Sequence, residues 1–124
     1  MIPSRILIVD DEVEICKLLN DFLKNQGYET FTATTGEEAL RLVKEARPHL
    51  MLLDIRMPEM GGVEILRQVR SFDHEIGIIM ITGYHDVEIA QEALKLGASD
   101  FVTKPIDLTY LETSVRVKIK TMLA

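Results

Sequence analysis

The amino-acid sequence predicts an α/β fold, in which a five-stranded parallel sheet is covered by helices on both faces. Five short apolar segments alternate along the chain with five amphipathic ones. Several of the short segments are apolar on both faces, which is typical of central strands buried between two layers of helices. Strands that alternate with helices form right-handed crossovers, and these crossovers predict a doubly wound sheet.

The predicted strands are short, and most of them end abruptly at a polar residue. The first strand stops at Asp10, the third at Asp54 and the fourth at Thr82. The five predicted strands cover Arg5–Val9, Glu29–Ala33, residues 50–53, residues 76–81 and Asp100–Thr103.

Apolar residues at helical spacing mark the segments between the strands. Gly27 and Gly97 are predicted to end the first and fourth helices, and Gly61-Gly62 to open the third. The last segment is ambiguous because part of it alternates as in a strand, but its length favours a helix. The predicted helices cover residues 13–26, residues 37–47, a stretch from residue 63, a stretch around residues 89–94 and residues 108–122.

The composition narrows the classes of protein to consider. A length of 124 residues predicts one domain, 1–124, and 47% apolar residues are enough for one core. The formal net charge of −6 argues against direct nucleic-acid binding, because a groove for phosphates must be basic. A single cysteine, Cys16, excludes an internal disulfide, and we read it as a small buried hydrophobe. No segment resembles a signal peptide or a membrane span, so we expect a cytoplasmic protein.

Polar and charged residues follow four of the five predicted strands. Asp10 and Asp11 follow the first, Asp54 the third, Thr82 the fourth and Lys104 the fifth. In open parallel sheets, ligands bind outside the carboxyl ends of the strands, where the strand order reverses. These residues are therefore the candidate site.

Together these residue types indicate phosphoryl transfer. Carboxylates crowded at one edge repel each other unless a cation is present, and Mg²⁺ prefers such oxygen ligands. Asp54 would be the nucleophile, Asp10 and Asp11 would serve the metal, and Lys104 and Thr82 would contact the transferring group.

Each residue also has a purely structural interpretation. Asp10 and Asp11 could cap the first helix, and Thr82 could be a turn residue. Lys104 could be a surface lysine before a helix that starts at Pro105. All of these structural readings would have to hold at once, at the ends of four strands, for the site to be absent.

The same residues carry a resemblance to the response-regulator receiver family of two-component signal transduction. The resemblance covers essentially the whole chain. Its motifs are Asp10-Asp11, Leu53-Asp54-Ile55-Arg56-Met57-Pro58, Ile81-Thr82-Gly83 and Asp100-Phe101-Val102-Thr103-Lys104-Pro105.

The resemblance implies a flavodoxin-like fold with strand order 2-1-3-4-5 and phosphorylation of Asp54 by a histidine kinase or phosphotransfer protein. It implies Mg²⁺ bound by Asp11, Asp54 and the backbone carbonyl of Arg56, with Asp10 acting mostly through water. It also implies a phosphoacceptor that catalyses its own phosphotransfer and slowly dephosphorylates itself, rather than an enzyme with a separate substrate.

The resemblance further implies contact between Lys104 and the phosphoryl group, and a cis bond before Pro105. In the implied switch, Thr82 moves toward the phosphoryl oxygens and Phe101 turns inward. The face formed by the fourth helix, fifth strand and fifth helix then changes shape, and an effector domain or partner reads the change. Homodimerisation on phosphorylation is a further expectation. The chain would be either a stand-alone regulator or a receiver from a longer protein.

Two residues each lie two positions past a site residue, where the family tunes hydrolysis of the acyl phosphate. These are Arg56 and Tyr84. One hypothesis is that they shield the phosphoryl group and lengthen its lifetime. The alternative is that both side chains point into solvent.

Three other functions compete with a receiver. A haloacid-dehalogenase-like phosphatase needs a second Asp two residues after the nucleophile, where this chain has Arg56. A flavin-binding module needs a first loop that accepts phosphate, whereas the loop after the first strand is acidic. A pseudo-receiver that serves only for docking is disfavoured by the complete set of acceptor residues.

Overall fold

In the computed structural model, which describes residues 2–123, five strands alternate with five α-helices. A single turn of 3₁₀-helix, Tyr84–Asp86, precedes the fourth α-helix. The strands are β1 (Arg5–Val9), β2 (Glu29–Ala33), β3 (Leu50–Asp54), β4 (Gly77–Thr82) and β5 (Asp100–Thr103). The helices are α1 (Val13–Asn25), α2 (Gly36–Ala46), α3 (Gly62–Phe72), α4 (Val87–Lys95) and α5 (Leu108–Leu123).

All strand pairs are parallel, and the order across the sheet is β2-β1-β3-β4-β5. This confirms the predicted fold class and the strand order. The register aligns the carboxyl ends of the strands: Val9 pairs with Leu53, Asp54 with Ile81, and Thr82 with Thr103. The residues that follow β1, β3, β4 and β5 therefore meet at one edge of the sheet.

The sheet separates two apolar layers. One layer joins it to α2, α3 and α4, and the other joins it to α1 and α5. Every residue of β3 and β4 is buried, which explains why these two strands read as continuous apolar runs. Cys16 is buried in the α1 layer, as expected for a small apolar residue.

The observed boundaries lie within a few residues of the predicted ones. Asp54 and Thr82 are the last residues of their strands rather than the first residues beyond them. Gly27 follows the end of α1 with φ +95°, a conformation that favours glycine and agrees with its predicted capping role. The ambiguous last segment is a helix. None of the helices in the described residues is long and apolar enough to span a membrane.

Candidate functional site

Three carboxylates converge at the carboxyl edge of the sheet. Asp10 and Asp11 come from the loop after β1, and Asp54 ends β3. One oxygen from each lies within 4.8 Å of the others. Asp10 is 2% exposed and Asp54 3% exposed, whereas Asp11 faces solvent. The predicted acidic cluster is thus present, with one solvent-facing member.

Lys104 places a positive charge beside two of these carboxylates. Its Nζ atom lies 3.4 Å from Oδ2 of Asp10 and 3.6 Å from Oδ1 of Asp54. The lysine directly follows β5, and its backbone N–H donates to the carbonyl of Thr82 at 2.7 Å. The Lys104–Pro105 bond is cis, as predicted. The end of β5 therefore places Lys104 beside the carboxylates at the edge of the sheet.

The electrostatics of the site are dominated by the burial of negative charge. Burial, followed by the nearby charge of Asp10, raises the pKa of Asp54 to about 6, against the opposing effect of Lys104. Burial acts to lower the pKa of Lys104, but the charges of Asp54 and Asp10 outweigh it and leave that pKa above its usual value. One lysine therefore does not fully compensate the carboxylates.

The donor set fits a divalent cation with oxygen ligands. Oδ1 of Asp10 accepts from the backbone N–H of Glu12 at 2.9 Å, but the buried Oδ2 has no hydrogen-bond donor among residues 2–123. Its contact with Lys104, at 3.4 Å from Nζ, is an ion pair. A buried carboxylate oxygen without a donor is costly, and a bound cation removes that cost. Asp10, Asp11 and Asp54 could hold such an ion.

Thr82 lies at the same edge, completely buried. Its hydroxyl donates to the carbonyl of the next residue, Gly83, at 3.2 Å. Phe101, on the neighbouring strand, is half-buried and packs against the layer that contains α3 and α4. Of the two residues of the predicted switch, Thr82 therefore lies at the site and Phe101 lies beside the layer that contains α4. The Thr82 hydroxyl is already hydrogen-bonded within its own turn.

The guanidinium of Arg56 forms a bidentate ion pair with the carboxylate of Asp86. Its Nε donates to Oδ2 at 2.9 Å, and its Nη2 donates to Oδ1 at 2.6 Å. The side chain of Arg56 is 73% exposed, while that of Asp86 is 7% exposed. The pair holds the pKa of Asp86 below its usual value. Neither alternative for Arg56, shielding or free solvation, anticipated this partner, and the shielding hypothesis stays a prediction.

The backbone of Tyr84 belongs to the 3₁₀ turn, but its side chain lies outside the described part of the structure, so its predicted shielding role stays a prediction. Gly62, at the start of α3, proves to be a packing residue. A Cβ there would overlap the carbonyl of Asp54, so α3 can approach the site only with glycine at this position.

The sequence did not predict Asp86 as a neighbour of the site, and it predicted Gly62 only as the start of a helix, without its packing against Asp54. An aspartate just before an amphipathic segment is a helix-start signal, yet Asp86 makes no side-chain capping bond. Its partner is 30 residues away in the chain, and no local pattern reports such a pairing.

Comparison with known proteins defines the class of protein. The family model described as "Response regulator receiver domain" matches residues 6–116. The chain belongs to this family, the receiver domains of two-component systems, whose role is phosphorylation-dependent signalling.

Individual relatives differ in length. The chain is 40% identical over 116 residues to sporulation initiation phosphotransferase F of Bacillus subtilis, covering 94% of each protein. It is 44% identical over 113 residues to the regulatory protein AtoC of Escherichia coli, covering 91% of this chain but only 24% of AtoC. The crystal structure of a CheY-like receiver domain protein from Methanospirillum hungatei superposes with a TM-score of 0.92 at 32% identity, covering 97% of this chain and 96% of that one.

Proposed function

We propose that the chain is a phosphorylation-dependent switch that accepts a phosphoryl group on Asp54 from a histidine kinase or phosphotransfer protein, with Mg²⁺ as cofactor. Phosphorylation would change the surface of α4, β5 and α5 and so control an output domain or partner. The observation that carries the proposal is the position of Asp54, buried at the edge of the sheet beside Asp10 and 3.6 Å from the Nζ of Lys104.

In the proposed reaction, an oxygen of the Asp54 carboxylate attacks the phosphorus of a phosphohistidine. The new O–P bond forms as the N–P bond breaks, and the electron pair of that bond stays on the imidazole nitrogen. At neutral pH a carboxyl with a pKa of about 6 is mostly ionised, so Asp54 needs no separate general base.

The neighbouring residues would hold the reactants and neutralise charge. Asp10, Asp11, Asp54 and the backbone carbonyl of Arg56 would hold the metal. When bound, Mg²⁺ supplies positive charge for the oxygens of the transferring group. Lys104 lies close enough to Asp54 to form an ion pair with the aspartyl phosphate. Thr82 would contribute its hydroxyl after turning away from the carbonyl of Gly83.

Asp54 would thus be a phosphoacceptor that catalyses its own transfer and slowly dephosphorylates itself, with no separate substrate. The acyl phosphate would be lost to water at a rate set by its surroundings. Phosphorylation-dependent homodimerisation through the surface of α4, β5 and α5, and a cytoplasmic location, are further parts of the proposal. Control of an output by a domain outside this chain is supported by the relatives that are about four times as long.

The test is to incubate the protein with Mg²⁺ and a small acyl phosphate and to measure the intact mass. The expected result is one phosphoryl adduct on the native chain and none on Asp54→Asn. Asp21→Asn, at an exposed position of α1, is the matched control and should still be modified. A native chain without an adduct would refute phosphoacceptor function and favour a docking module.

A further inference from the structure

The ion pair between Arg56 and Asp86 joins the loop after the phosphoacceptor to the start of α4. Arg56 is two residues past Asp54, and its backbone N–H lies 3.4 Å from Oδ1 of that carboxylate. Asp86 is the last residue of the 3₁₀ turn and immediately precedes α4. The side chain of Arg56 therefore connects the phosphorylation site to Asp86, the residue that precedes α4.

The turn that carries Asp86 also occupies the hydroxyl of Thr82. The carbonyl of Gly83 accepts from the Thr82 hydroxyl at 3.2 Å and from the backbone N–H of Asp86 at 3.0 Å. Gly83 also lies beside the Asp86 carboxylate, since an added Cβ there would be 3.7 Å from Oδ2. The ion pair and the hydroxyl contact are thus parts of the same short turn.

We propose that this ion pair is a latch: it holds α4 in place until Asp54 is phosphorylated, when the Arg56 guanidinium passes from Asp86 to the phosphoryl group. The proposal rests on the proposed function, because the trigger is the aspartyl phosphate. Asp86 is a positioning residue in this scheme, and it acts on the site through Arg56.

Charge supplies the driving force. A phosphoryl group carries about −1.5 to −2 charges and three acceptor oxygens, so it competes strongly with one carboxylate for a guanidinium. Arg56 can leave this pair without unpacking the core, because its side chain is 73% exposed. The guanidinium also starts next to the site, since its own backbone contacts Asp54.

Burial converts this exchange of partners into a movement. Asp86 is 7% exposed, and a buried carboxylate that loses its cation is strongly unfavourable. The turn must therefore open and hydrate Asp86 once Arg56 leaves. Opening would break the contacts at Gly83, which releases the Thr82 hydroxyl and loosens the first turn of α4. The latch thereby links the movement of Arg56, the release of the Thr82 hydroxyl and the loosening of α4 to one trigger.

The experiment measures amide hydrogen exchange of residues 84–90, with intact mass recorded on the same samples. In the unphosphorylated native chain these amides should exchange slowly. Asp86→Asn, which keeps the size of the side chain but removes its charge, should speed their exchange several-fold without phosphorylation. Phosphorylation of the native chain should produce a similar increase, and should add little in Asp86→Asn.

Two controls separate the latch from general loosening. Arg67→Gln removes another arginine that faces α4, where it lies 4.0 Å from Glu92 on an exposed surface, and should leave residues 84–90 unchanged. The resonance of the Arg56 Nε–H group should shift on phosphorylation of the native chain and stay fixed in Asp54→Asn.

The outcomes distinguish this inference from the proposed function. A phosphoryl adduct that leaves both the exchange rate and the Arg56 resonance unchanged overturns the latch alone. Native-like exchange in unphosphorylated Asp86→Asn also overturns it. Absence of any adduct refutes the proposed function and removes the trigger with it.

Discussion

Gly62, the first residue of α3, packs so closely against Asp54, the last residue of β3, that a Cβ at position 62 would overlap the Asp54 carbonyl. The N–H of Gly62 also donates to the carbonyl of Ile55 at 2.8 Å. Asp54 is therefore held between its own strand and the start of a helix, and its position depends on a residue without a side chain.

Replacing Gly62 with alanine should destabilise the protein by about 1 to 3 kcal/mol, because the new Cβ must displace backbone atoms in a packed region. Urea denaturation measures the change. Gly61→Ala is the matched control, since a Cβ there meets only the Ile55 carbonyl at an ordinary 3.7 Å. At this N-cap position alanine is a poorer cap than glycine, which destabilises the folded chain, but it also makes the unfolded chain less flexible, which has the opposite effect. The two effects nearly cancel, so Gly61→Ala should change the free energy of unfolding by no more than about 0.5 kcal/mol. Equal effects of the two variants would contradict the packing argument.

The raised pKa of Asp54 predicts that stability falls with rising pH in the absence of metal. The carboxyl binds its proton more tightly in the folded chain, with a pKa of about 6 against 3.8 for an unperturbed aspartate. Its contribution is therefore complete below about pH 4 and is lost as the pH passes 6. Asp54→Asn should match the native chain at pH 4 and exceed its stability by up to about 3 kcal/mol at pH 7.

Denaturant titrations at several pH values, in the presence of a chelator, check this prediction. Saturating Mg²⁺ should shrink the advantage of Asp54→Asn at pH 7, because a bound cation favours the ionised carboxylate of the native chain. A gain that is the same at pH 4 and pH 7 would show that ionisation of Asp54 is not its cause.

Mg²⁺ should raise the melting temperature of the native chain in a concentration-dependent manner, because a ligand that binds only the folded state stabilises it by mass action. Asp11→Asn should weaken this response, since it removes a charged ligand from the cluster. Glu14→Gln, which removes an equal charge from the exposed first turn of α1, should respond like the native chain. A response that survives in Asp11→Asn would place the ion elsewhere.

Lys104→Met should lower stability at pH 7 but increase the stabilisation obtained from Mg²⁺. The lysine is the only cation that forms ion pairs with Asp10 and Asp54 within the described residues, so its loss leaves two buried carboxylates without compensation. The metal then no longer competes with an ammonium group for the same oxygens. Melting curves with and without Mg²⁺ test both effects, with Lys24→Met in the last turn of α1 as the control. A smaller response to Mg²⁺ in Lys104→Met would contradict this account.

Local patterns predicted the fold closely, for reasons visible in particular segments. The runs that became β3 and β4 are buried on both faces, and such segments have few other ways to hide their apolar residues. Gly27 ended α1 as expected, because its positive φ favours a residue without a Cβ. The last segment was ambiguous only while it was read over a few residues.

The sequence also predicted which polar residues lie together at the edge of the sheet. Parallel strands bring their carboxyl ends to one edge, and each of these residues lies at such an end. They are Asp10, Asp11, Asp54, Thr82 and Lys104. The sequence did not predict the contacts made by Arg56 and Gly62. A flexible arginine can reach many partners, and its pairing with Asp86 arises only when β3 and β4 lie side by side. The need for glycine at position 62 appears only where α3 meets the end of β3. The apolar pattern of a strand depends on neighbouring residues and can be read from the sequence. These two contacts depend instead on distances between segments that only the fold brings together.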